Sequence, residues 1–317
     1  MTRHLVLRLV QSLAVLALMS FVVYALIGLM PGDPIDLMIS ADPSLTSEDA
    51  RRLKALHGLD RPIHERYLAW AKAALSGDLG YSRLQARPVL DALGPRLANT
   101  LVLMGTSFTL AVLIALPAGI AAARRAGGLV DRTIGVLCFA GVSLPAFWLA
   151  LLLILLFAVA LGWLPAGGTM TTGDGGIADR ARHLVLPVLT LTIASVAGYT
   201  RYLRAAMVEA LREDYVRTAR AKGLSERRVV WHHALRNALI PVVTIMALEF
   251  GTLFSGALVT ETMFAYLGMG KLIFDAIMGN DYNLALAGLL LATLVTLAAN
   301  LCADLAYAWL DPRIARP

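Results

Sequence analysis

The chain has 317 residues, of which 58% are hydrophobic and only 16% are Asp, Glu, Lys or Arg. A soluble domain carries about 25% charged residues. This composition, with a mean hydropathy of +0.69, therefore excludes a soluble enzyme, a disordered scaffold and a secreted disulfide module, and indicates a membrane protein. The net charge of +6 reads as positive charge held on the cytoplasmic side of a bilayer, not as a nucleic-acid surface.

A hydrocarbon core about 30 Å thick takes about 20 apolar residues per helix. The first charge-free run, residues 9–32, is longer than the apolar region of a signal peptide and predicts a retained helix. Residues 33–96 follow as the one substantial polar piece. Helical spacing is present at 47–56 and 62–75, Pro62 suits a first helical turn, and Gly77-Asp78-Leu79-Gly80 breaks the pattern. A small helical cap outside the membrane is predicted. Further spans fall at 97–123, at 133 to about 163, at 184–200, at 237–260 with Glu249 as its one charge, and at 282–303. The fold predicted is all-α, with six transmembrane helices. Its two parts are residues 1–96, the first helix with its loop, and residues 97–310, the remaining five helices. Cys138 and Cys302 both lie in apolar runs and read as small core residues.

Loop charge sets the orientation. Arg3 and Arg8 precede the first span, and Arg124, Arg125 and Arg132 follow the second. Residues 201–237 hold nine Lys+Arg against four Asp+Glu, whereas 249–282 hold one Lys against four acids. Basic loops alternate with neutral or acidic ones, which places both termini in the cytoplasm.

The basic segment 201–237 carries the most information. Residues 203–222 read as one helix with Glu213 and Arg217 paired at i,i+4. Gly223 supplies a left-handed stop, and Ser225 offers an N-cap oxygen to the next helix. A helix, tight turn and helix make a short rigid knob for a partner.

The run Tyr215-Val216-Arg217-Thr218-Ala219-Arg220-Ala221-Lys222-Gly223-Leu224, followed by His233-Ala234-Leu235-Arg236-Asn237-Ala238-Leu239-Ile240-Pro241, resembles the coupling loop of ABC importer permeases. It is most similar to the dipeptide, oligopeptide and nickel branch. Gly77-Asp78-Leu79-Gly80-Tyr81-Ser82, Gly141-Val142-Ser143-Leu144-Pro145 and Leu310-Asp311-Pro312-Arg313-Ile314 agree in order along the chain. Two departures stand out. Arg217-Thr218-Ala219 replaces the broader Glu-Ala-Ala motif, and Leu267 replaces a usual proline.

The resemblance implies a type I ABC importer permease fold in a bacterial inner membrane. It implies a second homologous permease subunit, two cytoplasmic ATPases docked on the coupling loops, and an external solute-binding protein. No cofactor is implied for this chain. ATP and Mg would be held by the ATPases, and no GxxxxGK[ST] loop is present in the sequence. The implied ATPase-coupling residues are Tyr215, Arg217, Thr218, Ala219, Arg220, Ala221, Lys222, Gly223, Leu224, Ser225 and Arg236. Small Ala219, Ala221 and Gly223 would permit close approach, and Arg217, Arg220 and Lys222 would pair with acids on the ATPase.

Glu249 lies mid-span, where acids face a bundle interior or a wet cavity, and is a translocation-path candidate. Its alternative role is a structural hydrogen bond. By the same resemblance, Glu261 stands at the outer end of that span as a gate or a structural hinge. His232 and His233 point about 100° apart on an ideal helix, so no metal site is predicted. The substrate reading is peptide, with nickel-chelate or glutathione import as the alternative within the family. Outside it, an intramembrane enzyme would need catalytic motifs that are missing. An ion-coupled secondary transporter would show an internal repeat, and none is evident.

Overall fold

A computed structural model describes residues 2–29, 48, 52, 61–173 and 175–310. Apart from residues 48, 52 and 310, the helix expected at 47–56 and the terminal motif at 310–314 lie outside the described residues.

The chain divides into two compact units. One comprises residues 3–99 and 268–295, joining the N-terminal region to a segment far along the chain. Helix α1, Thr2–Gly28, follows from an apolar run without proline. Helix α2, Ile63–Leu75, starts one residue later than predicted, with Pro62 in the capping position. Gly77, at φ +89°, closes α2 through Asp78 N–H donating to the Ala73 carbonyl at 3.0 Å. An unpredicted two-residue hairpin follows, β1 Tyr81–Ser82 against β2 Arg87–Pro88, antiparallel with Ser82 opposite Arg87. Helix α3 is Val89–Arg124.

Buried Asp281 ties this unit together. Its Oδ2 accepts from Ser82 Oγ at 2.6 Å and from Leu84 N–H at 2.9 Å, and its Oδ1 accepts from Leu284 N–H at 3.2 Å. The same carboxylate therefore clamps the hairpin and caps the last helix. Gly80 is needed beside it, because a Cβ there would stand 2.8 Å from Asn283 Nδ2.

The other unit comprises residues 100–267 with 296–317. Helix α4, Leu129–Ser143, and helix α5, Ala146–Leu153, continued by a π-helical stretch Ile154–Ala160, are bent by 99° from one another. The straight third span read from the sequence is therefore broken. Leu144 is extended, at ψ 120°, because the proline ring that follows disfavours a helical residue before it. Helix α6, Ile177–Ala210, runs well past both ends of the predicted span. Helix α7 is Asp214–Ala221, α8 is the single turn Glu226–Arg228 leading into a π-helical stretch Val229–Ala234, and α9 is Leu235–Met263. Helix α10, Met269–Met278, and helix α11, Tyr282–Leu310, complete the chain. Cys138 is buried, but Cys302 is exposed on α11.

The core of this unit forms where α3, α6, α7 and α9 converge around Tyr199, Leu203, Met207, Val216 and Val230. Gly119 lets α3 approach Leu203, since a Cβ there would lie 2.9 Å from a Leu203 methyl. Among the described residues, four helices are long and apolar enough to cross a membrane, or five if the bent pair counts as one. The molecule is a multi-pass membrane protein.

Candidate functional site

The basic segment is not one helix running from 203 to 222. Helix α6 stops at Ala210, Leu211 N–H makes its last bond to the Met207 carbonyl, and Glu213 is extended at ψ 152°. Glu213 is thus the N-cap of α7, and Arg217 pairs with Asp214 instead of the expected Glu213. Asp214 in the first turn of α7 also suits the positive end of the helix dipole.

The turn after α7 is as the sequence predicts. Gly223 takes φ +76°. Its N–H donates to the Arg220 carbonyl at 2.9 Å, and Leu224 N–H donates to the Ala219 carbonyl at 3.3 Å. These two bonds form a Schellman stop, and half-buried Leu224 packs on the core beneath. Ser225 occupies the N-cap position of α8, but its side chain makes no capping bond. A different contact closes the turn. Arg220 Nε donates to Glu226 Oε1 at 2.7 Å, and Arg220 Nη2 to Oε2 at 3.3 Å. The guanidinium holds the Glu226 carboxyl below its ordinary range, and the carboxylate raises the Arg220 guanidinium.

Burial sorts the candidate coupling residues. Ala219, together with Val216, is buried against the chain's own core, so it cannot also lie against a partner. Thr218 donates to the Asp214 carbonyl at 2.9 Å. Arg217, Arg220, Ala221, Lys222, Gly223, Ser225 and Arg236 are exposed. Two of the three cations expected to reach a partner, Arg217 and Arg220, are already engaged within the turn. Tyr215 is partly covered. Burial pushes its phenol up, opposed by the Asn237 side chain.

A cavity of about 930 Å³ lies between α4, α6 and α9 and is lined by both signs of charge: Asp131, Arg132, Arg201, Arg204 and Glu249. Glu249 faces Gly198, where a Cβ would sit 3.8 Å from its carboxylate oxygen. Asp131, buried at the start of α4, accepts from Gly127 N–H at 2.8 Å and from Arg204 Nη2 at 2.6 Å. The sequence reading missed this pair. Its one signal is an acid among Arg124, Arg125 and Arg132 in an otherwise basic loop. Glu261 does not line the cavity. It is fully buried and accepts from Thr100 Oγ1 at 2.5 Å, which is structural tying of α3 to α9. The π-helical winding brings the His232 and His233 rings edge to face at 5.3 Å, closer than an ideal helix suggests. No group of three metal-binding side chains occurs among the described residues.

Comparison with known proteins assigns the family. Residues 115–316 match the model of the binding-protein-dependent transport system inner membrane component, and residues 1–104 match its N-terminal companion. The chain is 38% identical to the oligopeptide transport system permease protein AppB of Bacillus subtilis, covering 99% of both chains. It is 40% identical to the di/tripeptide transport system permease protein DppB of Pseudomonas aeruginosa, covering 92% of each. It is also 40% identical to the glutathione transport system permease protein GsiC of Escherichia coli, covering 99% of each. An inward-facing structure of the MetNI methionine ABC transporter shares the fold, with a TM-score of 0.58 at 18% identity over 70% of this chain and 97% of that one. The chain therefore belongs to the family of binding-protein-dependent transport system inner membrane components, the permease subunits of ABC transporters.

Proposed function

We propose that the protein is one permease half of an ATP-driven importer of di- and oligopeptides, with six spans and both termini in the cytoplasm. A second homologous permease completes the path. Two ATPases dock on the turns at 214–228, and an external binding protein delivers the peptide. The helix Leu235–Met263 and the alternation of loop charge support the span count and orientation. Peptide is favoured over glutathione because both an oligopeptide and a di/tripeptide permease are among the full-length relatives.

The observation that carries the mechanism is that the turn and the cavity share one core. Val216 and Ala219 of α7 pack with Tyr199, Leu203 and Met207 of α6 and with Val242 and Met246 of α9. Close-packed interiors transmit displacement. When ATP closes the paired ATPases, each drags its turn, and α6 and α9 move with it around the charged cavity. The inward-open state is exchanged for the outward-open one.

The test is uptake of a radiolabelled tripeptide into proteoliposomes holding this chain, its partner permease and both ATPases, with binding protein added outside. ATP-dependent accumulation is expected, with little competition from excess glutathione. Uptake driven by an ion gradient without ATP overturns the importer reading. Full competition by glutathione overturns the substrate.

A further inference from the structure

Helix α2 was expected in a polar cap outside the membrane, yet its contacts place it beside a membrane span. The Tyr67 and Ser20 hydroxyls share a hydrogen bond of 2.7 Å. The Tyr67 ring meets Phe21 edge-on at 5.2 Å and Tyr24 at 5.7 Å, and Trp70 lies 5.7 Å from Tyr24.

Depth follows from arithmetic on α1. A hydrocarbon core about 30 Å thick takes about 20 residues at 1.5 Å each. Beginning at Leu9, just past Arg8, it ends near Gly28. Ser20 stands eight residues before Gly28, about 12 Å inside that boundary. If the Arg8 stem snorkels and the core starts a turn earlier, the boundary moves by about 5 Å and Ser20 is still within.

The α2 sequence is built for that position. At 3.6 residues per turn, Tyr67, Trp70 and Ala74 share the arc that meets α1. His64, Leu75 and Leu68 follow one another on one flank of that arc, and Lys72, Glu65 and Ala69 fall on the face turned away from it. Leu68 is 64% exposed and Leu75 92% exposed, which continues the exposed apolar surface of α1 at Leu18 and Leu26. Tyr and Trp are the residues of membrane interfaces, and a helix with one apolar and one charged flank lies in the interface plane.

We infer that α2 lies in the membrane interface at the C-terminal end of α1, with Leu68 and Leu75 immersed in lipid acyl chains and Glu65 and Lys72 turned to water. This contact is independent of what the transporter carries.

The test is nitroxide labelling of single cysteines at Leu68→Cys and Ala69→Cys, about 100° apart on the helix. The full chain, with Cys138 and Cys302 replaced by alanine, is co-expressed with its partners and placed in lipid nanodiscs. Collision with oxygen, which partitions into lipid, and with a water-soluble nickel chelate is compared by electron paramagnetic resonance. An oxygen-to-chelate ratio several-fold higher at 68 than at 69 is expected, with Leu75→Cys at the helix end behaving like 68. Equal chelate collision at 68, 69 and 75 means a water-exposed cap and overturns the inference. Shielding of 68 and 75 from both reagents means cover by protein and overturns it as well.

Discussion

Gly223 and Ala265 hold the same backbone role with different residues. Each sits just past a helix in the left-handed region, at φ +76° and +47°. At each, the next N–H reaches back five residues, Leu224 to Ala219 and Tyr266 to Glu261 at 2.8 Å. A Cβ in that conformation costs about 1–2 kcal/mol. Ala265→Gly should therefore raise the melting temperature of the purified complex slightly, because relief of strain is partly offset by glycine's extra unfolded-state entropy. Gly223→Val, in open space but strained, should lower stability by about 1–3 kcal/mol and loosen the turn. A scan of both variants checks the pair, and a fall for Ala265→Gly would refute the strain argument. Glu261 gives a second residue-scale expectation. Thr100→Val removes a donor to a fully buried carboxylate and should cost about 1–3 kcal/mol, whereas Thr100→Ser should cost much less. Denaturation in mild detergent, followed by loss of tripeptide uptake, reports both.

Among the elements, contacts between helices decide what sequence patterns leave open. The stop at Gly223 was legible because only glycine takes that conformation at no steric cost. The break at residues 211–213 was not, since Leu, Arg and Glu all favour helix. It exists because Val216 and Ala219 must turn onto the core. The bend at Leu144-Pro145 was written in the proline, but a charge-free run spanning it reads as one helix. The hairpin at 81–88, two residues per strand, is too short to show alternation and depends on Asp281 far along the chain. Likewise the Asp131–Arg204 bond between α4 and α6 joins residues 73 apart. Asp131→Asn should destabilise the protein, and a double-mutant cycle with Arg204→Gln should return a coupling of about 1–3 kcal/mol, read from thermal melts. Zero coupling would mean that the two helices do not depend on the pair. The Arg220–Glu226 staple has a pH signature. Because the folded Glu226 carboxyl lies below its ordinary value of 4.5, its contribution is present above that value and is lost as pH falls through the lowered one. A nitroxide at Lys222→Cys should gain mobility as pH falls through and below the ordinary glutamate range. Glu226→Gln should show the higher mobility at every pH. Since Glu226 is largely exposed, the energy involved is at most about 1 kcal/mol.

At the scale of the molecule, if an ATPase docks on the turn as proposed, charge distribution decides how the two meet. Arg217 and Arg220 are held by Asp214 and Glu226, so the cations presented outward by the coupling segment include Lys222, Arg227, Arg228 and Arg236. Charges at an interface rim steer association and set its salt dependence more than they set affinity. Lys222→Glu and Arg236→Glu should each slow ATPase association several-fold at low salt without changing the melting temperature. The deficit should shrink as ionic strength rises and the screening length falls from about 10 Å at 0.1 M to about 3 Å at 1 M. Arg220→Glu should behave differently. It removes the staple as well as a charge, so the complex should also dissociate faster, and salt should not restore it. Binding of the paired ATPases to the permease in nanodiscs, timed at several salt concentrations, separates the two effects. If Lys222→Glu and Arg220→Glu share one salt profile, the turn is recognised by charge alone and its internal ion pairs play no part in docking.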